Sequence, residues 1–95
     1  MPTFITLISD LDETKKDSRG TVIRAEFFIK RAKEMGVRVL DLYWTQGQYD
    51  GIAILEAPDS ETVSALMLSI ITVRSHTLRA YTPDEIKQIV SKIPI

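Results

Sequence analysis

The stretch Leu42-Tyr43-Trp44-Thr45-Gln46-Gly47-Gln48-Tyr49-Asp50-Gly51 decides how the rest of this chain can fold. It holds the only tryptophan, two of the three tyrosines and two of the four glycines of the sequence. Two strand candidates flank it, Val37–Thr45 and Gly51–Ala57. The polar link Gln46–Asp50 contains Gly47, and glycine adopts a positive φ at no steric cost. We therefore predict an aromatic-rich β-hairpin at the centre of the chain.

The segments before the hairpin predict one strand and one helix. Thr3–Ser9 is rich in β-branched residues and is typical of a strand. A helix is expected from about Arg19 to Met35, with Gly36 just past its end. Its apolar stripe consists of Val22, Ala25, Phe28, Ile29, Ala32 and Met35. Ile23 and Phe27 lie outside this stripe, which indicates either a wide buried face, tolerated surface residues, or a contact with another subunit.

The segments after the hairpin predict a helix, a strand and a last helix. Pro58–Glu61 has the capping chemistry of a helix start, and Glu61–Thr72 is apolar almost all round. Such a helix is either deeply buried or packed between the sheet and another subunit. Arg74–Tyr81 alternates like a strand. Thr82–Glu85 is a capping box with proline at the first helical position, so a final helix begins there.

The predicted order of elements is β-α-β-β-α-β with a trailing C-terminal helix. We expect a single α+β domain over residues 1–95, with the ferredoxin-like fold of an antiparallel sheet and two helices on one face. The other face of the sheet is then left open. A chain of 95 residues buries only a modest share of its surface, so self-association is an expected source of stability.

Composition excludes several functional classes. The formal net charge of −1 lacks the basic excess of a nucleic-acid-binding protein. The absence of cysteine removes disulfides, thiolate catalysis and cysteine zinc sites. No apolar run approaches the ~18 residues of a membrane span, and the apolar start is too short for a signal peptide. We expect a cytoplasmic protein with no cofactor, no membrane association and no nucleic-acid partner.

Four side chains are candidates for ligand binding on the open sheet face, namely Asp41, Tyr43, Arg79 and Tyr81. This assignment follows if the apolar residues of the same strands face the helices, that is Leu40, Leu42, Trp44, Leu78 and Ala80. The guanidinium of Arg79 suits a carboxylate. Two interpretations remain open, either an Asp41–Arg79 pair at a subunit interface or a small acidic or aromatic ligand. No catalytic residue is identified.

Other polar residues carry weaker signals. His76 is the only histidine, and it is either a structural residue or a catalytic or pH-sensing one. Ser75 precedes it, so in a strand the two side chains point to opposite faces. One histidine and no cysteine do not favour a transition-metal site. Asp10, Asp12 and Glu13 are interpreted as cap and turn residues, or as a weak cation site.

Several of these segments together resemble the GYD family, which is named for a Gly-Tyr-Asp signature. In this sequence the signature is identified as Gly47, Tyr49 and Asp50, with Trp44 in the same hairpin. Tyr49 and Asp50 are interpreted as turn and packing residues rather than catalytic ones. Three further segments carry the likeness, namely Arg24-Ala25-Glu26, Glu56-Ala57-Pro58-Asp59 and Thr77-Leu78-Arg79-Ala80-Tyr81.

The resemblance implies a dimeric α+β barrel, in which two ferredoxin-like sheets pair their open faces. It implies no particular activity, because related barrels have many functions. Our leading hypothesis is a homo-oligomer that binds a small molecule on the open sheet face. The alternative is a cofactor-independent enzyme, of oxygenase or isomerase type, acting on a small acidic or aromatic substrate. A third hypothesis is an assembly protein without a ligand.

Overall fold

A computed structural model of the chain describes residues 1–11 and 18–95. Its elements, in chain order, are β1 Thr3–Asp10, α1 Thr21–Glu34, β2 Arg38–Trp44, β3 Gly51–Glu56, α2 Ser60–Ser69, β4 Val73–Ala80 and α3 Pro83–Val90. A short 3₁₀ turn, Ser18–Gly20, leads into α1. The predicted order of strands and helices is confirmed. Asp12 and Glu13, interpreted above as turn or cation-site residues, lie outside the described residues.

The four strands form one antiparallel sheet in the order β2-β3-β1-β4. The first and third strands are therefore central, and the second and fourth are the edges, as the ferredoxin-like prediction requires. Residues of α1 and α2 share one core with one face of the sheet. The fold class is thus α+β and ferredoxin-like, and the two main helices cover the same side of the sheet.

The core lies between the sheet and these two helices. Its buried side chains are Phe4, Ala53 and Leu55 from the sheet, Phe28 and Ala32 from α1, and Val63, Leu66 and Met67 from α2, with Val37, Ala57 and Ile70 at the ends of elements. Thr6 is fully buried, and its hydroxyl lies 3.1 Å from the hydroxyl of Thr77. That hydrogen bond satisfies the buried polar group, which would otherwise carry a desolvation cost.

The predicted apolar stripe of α1 is only partly buried. Phe28 and Ala32 enter the core, whereas Val22 and Ile29 stay 55% and 44% exposed because they lie at the edge of the stripe. Ile23 and Phe27 are 70% and 49% exposed, which excludes the wide buried face as their explanation. These two residues form an apolar surface on the side of α1 that points away from the sheet.

The helix α2 is buried along one side only. Asp59 caps its start by accepting hydrogen bonds from the backbone N–H and the hydroxyl of Thr62, at 2.7 and 2.6 Å. Both bonds hold the pKa of the Asp59 carboxyl below its ordinary value, the hydroxyl being the larger cause. On the outer side Leu68 is 82% exposed, and Ile71, in the turn after the helix, is 83% exposed. Within the described residues no helix has the length and apolar character needed to span a bilayer.

The central hairpin is closed by Thr45 and Asp50. The backbone N–H of Thr45 donates to the carbonyl of Asp50 at 2.9 Å, and its hydroxyl donates to the carbonyl of Tyr49 at 2.6 Å. Gly47 has a φ of +114°, which confirms the prediction made for this glycine. This backbone conformation is one that residues with a Cβ rarely adopt.

Replacing Gly47 by valine should lower the free energy of unfolding by at least about 1 kcal/mol, because a β-branched residue is strained at this φ. A Cβ at this position would meet no atom within 4 Å, so the loss comes from the backbone and not from a clash. Thermal unfolding measures the effect. The matched control is Gln48→Val, which places the same side chain one residue further along. Equal melting temperatures for the two variants would contradict the assignment.

Candidate functional site

The strand register assigns each side chain to a face of the sheet. Directly paired residues on antiparallel strands point to the same side. Phe4 pairs with Leu55 on β3 and with Arg79 on β4, so these three belong to the helix-covered side. Ile5 pairs with Ile54 and, on β4, with Leu78, so these belong to the open face.

The predicted orientation of the last strand is therefore wrong. Leu78 and Ala80 were expected to face the helices, but they lie on the open face, and Leu78 is 51% exposed. Arg79 and Tyr81 were expected on the open face, whereas Arg79 lies on the helix-covered side beside Phe4. The physical reason is that β4 is an edge strand whose helix-covered side carries polar groups with partners of their own.

The orientation of β2 is predicted correctly from Asp41 onward, but not before that residue. Val39 pairs with Leu55 and Asp41 pairs with Ile54, so Leu40 is an extra residue in a β-bulge. Leu40 was expected to face the helices, but it is 41% exposed, and Val39 packs against the core in its place. The bulge shifts the alternation by one residue, which no hydrophobicity pattern reveals.

After the bulge, the predicted orientation of the β2 side chains is confirmed. Leu42 and Trp44 pair with Ala53 and Gly51 on the helix-covered side. The indole N–H of Trp44 donates to the hydroxyl of Thr21, at the first turn of α1, over 3.0 Å. Asp41 and Tyr43 lie on the open face, as expected, and the hydroxyl of Tyr43 lies 3.5 Å from the Asp41 carboxylate.

The open sheet face has an apolar centre and a polar margin. The apolar centre consists of Ile5, Leu7, Ile52, Ile54 and Leu78. At the β2 margin lie Asp41 and Tyr43, together with an ion pair between Arg38 and Glu56 at 2.9 Å. Such an arrangement can pack against another apolar surface while its margin forms directional hydrogen bonds.

His76 lies on the same open face, where it pairs with Leu7. Its ring meets that of the signature residue Tyr49 edge to face, with centroids 5.8 Å apart. Ser75 pairs with Ile8 on the helix-covered side, so the serine and the histidine point apart, as predicted. Over residues 1–11 and 18–95, no three His, Asp or Glu side chains group as metal ligands would.

Arg79 ties the end of β4 to the start of α3. The carbon at the centre of its guanidinium lies 4.4 Å from the ring centroid of Tyr81 and 5.6 Å from that of Phe4. The guanidinium donates to the carbonyls of Thr3, at 3.2 Å, and of Ala80. It also pairs with the carboxylate of Glu85 at 3.4 Å. These contacts give Arg79 a structural role in which its donors already have partners.

Glu85 belongs to the capping box that starts α3. Its carboxylate accepts from the backbone N–H of Thr82 at 3.0 Å, and its own N–H donates to the Thr82 hydroxyl at 3.1 Å. The bond from the Thr82 backbone is the main cause that keeps the pKa of the Glu85 carboxyl below its ordinary value, with Arg79 as a smaller one. The last helix is therefore firmly anchored at its first turn.

Arg79→Met should lower the melting temperature, because it removes the cation–π contacts and the pairing with Glu85. The expected loss is roughly 1 kcal/mol, since the site is partly exposed. Arg74→Met, an exposed arginine of the same strand, is the control and should change stability little. If Arg79→Met kept wild-type stability but lost a co-purifying ligand, Arg79 would be a ligand-binding residue instead.

Asp50, the last residue of the signature, joins the hairpin to the end of β1. Its backbone N–H donates to the carbonyl of Ile8, and its carboxylate accepts from the backbone N–H of Asp10, both at 2.8 Å. These bonds connect β3 to the central strand at the point where the hairpin turns. The signature aspartate thus positions the hairpin, including Trp44 and Tyr49, relative to the sheet.

A small pocket opens beside Trp44 and Asp50, between α1 and the sheet. Its volume is about 80 Å³, and Thr21, Arg24 and Phe28 form its α1 wall. This is room for two or three water molecules at ~30 Å³ each, far below the ~300 Å³ of ordinary small-molecule sites. Sequence reasoning missed Thr21 and Arg24 as pocket residues, because no spacing shows which turn of α1 meets the hairpin.

Comparison with known proteins agrees with this fold. The sequence model of the GYD domain matches residues 4–90 of the chain. A protein of Thermus thermophilus, named "Glutamine synthetase and cystathionine beta-lyase binding protein", is 34% identical over 88 residues. The match covers 84% of this chain and 88% of that protein.

Two solved structures are similar as well. The crystal structure of TTHA0845 from Thermus thermophilus has a TM-score of 0.55 and 25% identity, covering 86% of this chain and 95% of that one. The leucine response regulatory protein LrpA of Mycobacterium tuberculosis has a TM-score of 0.53, covering 87% of this chain and 54% of that one. At 15% identity it shows the fold alone. By the match over residues 4–90, this chain belongs to the GYD domain family.

Proposed function

We propose that this protein is a homo-oligomeric binding protein in which two copies pair their open sheet faces and hold a small molecule between them. The observation that carries the proposal is the apolar centre of the open face, defined above. Leu78 is 51% exposed, and the other four side chains of this centre remain partly exposed. Fully burying one large aliphatic side chain contributes about 1.5–3 kcal/mol. Pairing the two faces would therefore stabilise a dimer strongly.

The polar margin supports the ligand-binding half of the proposal. Asp41 and Tyr43 lie side by side at the β2 edge, where the hydroxyl and the carboxylate are 3.5 Å apart. Arg79 lies on the other side of the sheet, and Arg38 at the β2 margin is already paired with Glu56 at 2.9 Å, so neither guanidinium favours an acidic ligand beside Asp41. The remaining groups suit a ligand with an apolar or aromatic body and a hydrogen-bond donor for Asp41.

Native mass spectrometry of freshly purified protein tests the self-association and the ligand binding in one measurement. We expect an assembly of at least two chains that carries extra mass from a retained small molecule. The variant Asp41→Asn with Tyr43→Phe should keep the assembly and lose the extra mass. Tyr81→Phe, beside Arg79 and away from the open face, is the control and should keep both. If the wild type, the double variant and Tyr81→Phe all kept the extra mass equally, the ligand would bind elsewhere. A monomeric wild-type protein would contradict the whole proposal.

A second candidate function is binding to another protein, and the outer surface of the helices supports it. The Thermus thermophilus relative is named for binding two enzymes. Here Leu68 and Ile71 of the α2 region are 82% and 83% exposed, which is unusual for aliphatic residues on a surface without a partner. Purified glutamine synthetase is the first probe. We expect Leu68→Asp to weaken its binding and Gln88→Asp, an exposed position on α3, to leave it unchanged.

Catalysis is not part of the proposal. Among the residues that the structure describes, Asp59 and Glu85 have a lowered pKa, and helix capping is the main cause of both shifts. Neither group lies on the open face, so these shifts supply no acid or base to a substrate held there.

A further inference from the structure

The helix α3 carries an apolar stripe that nothing in the described part of the chain buries. The stripe comprises Ile86, Ile89 and Val90, and it continues to Ile93 just past the helix end. Their exposed fractions are 45%, 38%, 54% and 65%. Throughout α3 no residue is buried, although the helix is strongly amphipathic. Such a stripe is typical of a surface that packs against a second one.

The helix is also too short to be stable without packing. It has eight residues, whereas isolated helices below roughly 12–15 residues are marginal in water. Its first turn is well fixed, since Pro83 opens it, Thr82 and Glu85 cap it, and Arg79 holds Glu85. The capping sets the direction of α3, and the apolar stripe then needs a partner to bury it.

We infer that α3 packs against α3 of a second copy of this chain, in antiparallel orientation. Consecutive stripe residues are three, one and three positions apart, so their spacing is the same from either end of the helix. An antiparallel pair therefore places Ile86 opposite the partner's Ile93, and Ile89 opposite the partner's Val90. Such a self-complementary contact is what a two-fold symmetric assembly requires.

The charges beside the stripe favour the same orientation. Glu85 and Lys92 are seven residues apart, which puts them two turns apart along one edge of the stripe. In an antiparallel pair, this edge of one helix faces the same edge of the partner's helix, which runs in the opposite direction. Glu85 of one chain then approaches the partner's Lys92, and the reciprocal pair forms at the other end.

The size of the stripe favours a second copy over an unrelated partner. Four half-exposed aliphatic side chains offer at most a few hundred Å² of apolar surface, less than the ~800 Å² per partner of an ordinary interface. Such a contact is stable when another interface already holds the two chains near each other. This inference therefore rests on the self-association proposed above, and it adds a second contact between copies.

The absence of cysteine from the sequence allows a clean test. Ile89→Cys introduces one thiol next to the proposed two-fold axis. Gln88→Cys introduces one on the polar side of the same helix, so it serves as the matched control. Under mild oxidation by glutathione, Ile89→Cys should form a disulfide-linked dimer at least about tenfold faster than Gln88→Cys, because only its two thiols are held at bonding distance.

The outcomes separate this inference from the proposal on which it rests. Sedimentation of the unmodified protein is measured alongside, and circular dichroism checks that both variants are folded. An oligomer in which the two thiols oxidise equally fast would overturn α3 pairing and leave the sheet-paired assembly intact. A monomer would overturn both. Fast oxidation of Ile89→Cys within an oligomer supports the pairing.

Discussion

Ile54→Asp should convert the assembled protein into a folded monomer. Ile54 lies on β3, in the apolar centre of the open face, between Ile5 on one side and Asp41 on the other. An aspartate there would be buried without a partner in a sheet-paired dimer, and it would face water in a monomer. We expect the dimer dissociation constant to rise at least ~100-fold, which corresponds to about 2.7 kcal/mol.

The matched control places the same charge on the opposite side of the molecule. Ser64 is exposed on α2, so Ser64→Asp should leave the assembly unchanged. Sedimentation velocity over a range of concentrations measures both variants, and circular dichroism shows whether each keeps its secondary structure. An Ile54→Asp protein that sediments like the wild type would exclude the open face as the interface.

Asp50→Ala should lower the free energy of unfolding by about 2 kcal/mol, because hydrogen bonds to charged groups contribute roughly 1.5–3 kcal/mol. The change removes the acceptor of the Asp10 backbone N–H, a 2.8 Å bond between the hairpin and the end of β1. Urea unfolding measures the loss. Asp50→Asn keeps an oxygen acceptor at the same place, so it should lose clearly less.

A different result would change the interpretation of the signature. If Asp50→Ala unfolded at the same urea concentration as the wild type, the bond to Asp10 would contribute nothing to stability. The signature aspartate would then need another explanation, such as a direct role in binding. If the alanine variant alone lost a retained ligand, the small pocket beside Trp44 would become the first place to look for it.

The elements of the fold could be predicted because their signals are local. Thr82 and Glu85 mark the start of the last helix by a capping box, which the structure contains in full. Gly47 marks the hairpin by a backbone conformation that glycine accommodates best. Such signals depend on a few neighbouring residues, so the sequence carries them without knowledge of the tertiary contacts.

The orientation of the two edge strands was predicted less accurately, because it depends on contacts with residues far away in the sequence. In β4, alternation assigned the apolar Leu78 to the core, yet Arg79 is the residue beside buried Phe4. In β2, the bulge at Leu40 shifts the alternation by one position. As a result, Asp41 and Tyr43 were placed correctly on the open face, whereas Arg79 and Tyr81 were not.

Sedimentation equilibrium of the unmodified protein at micromolar concentration measures whether a second copy of the chain is present to cover the open sheet face. We expect a mass of at least twice the 10.8 kDa of one chain. A single species of 10.8 kDa at every concentration measured would contradict it.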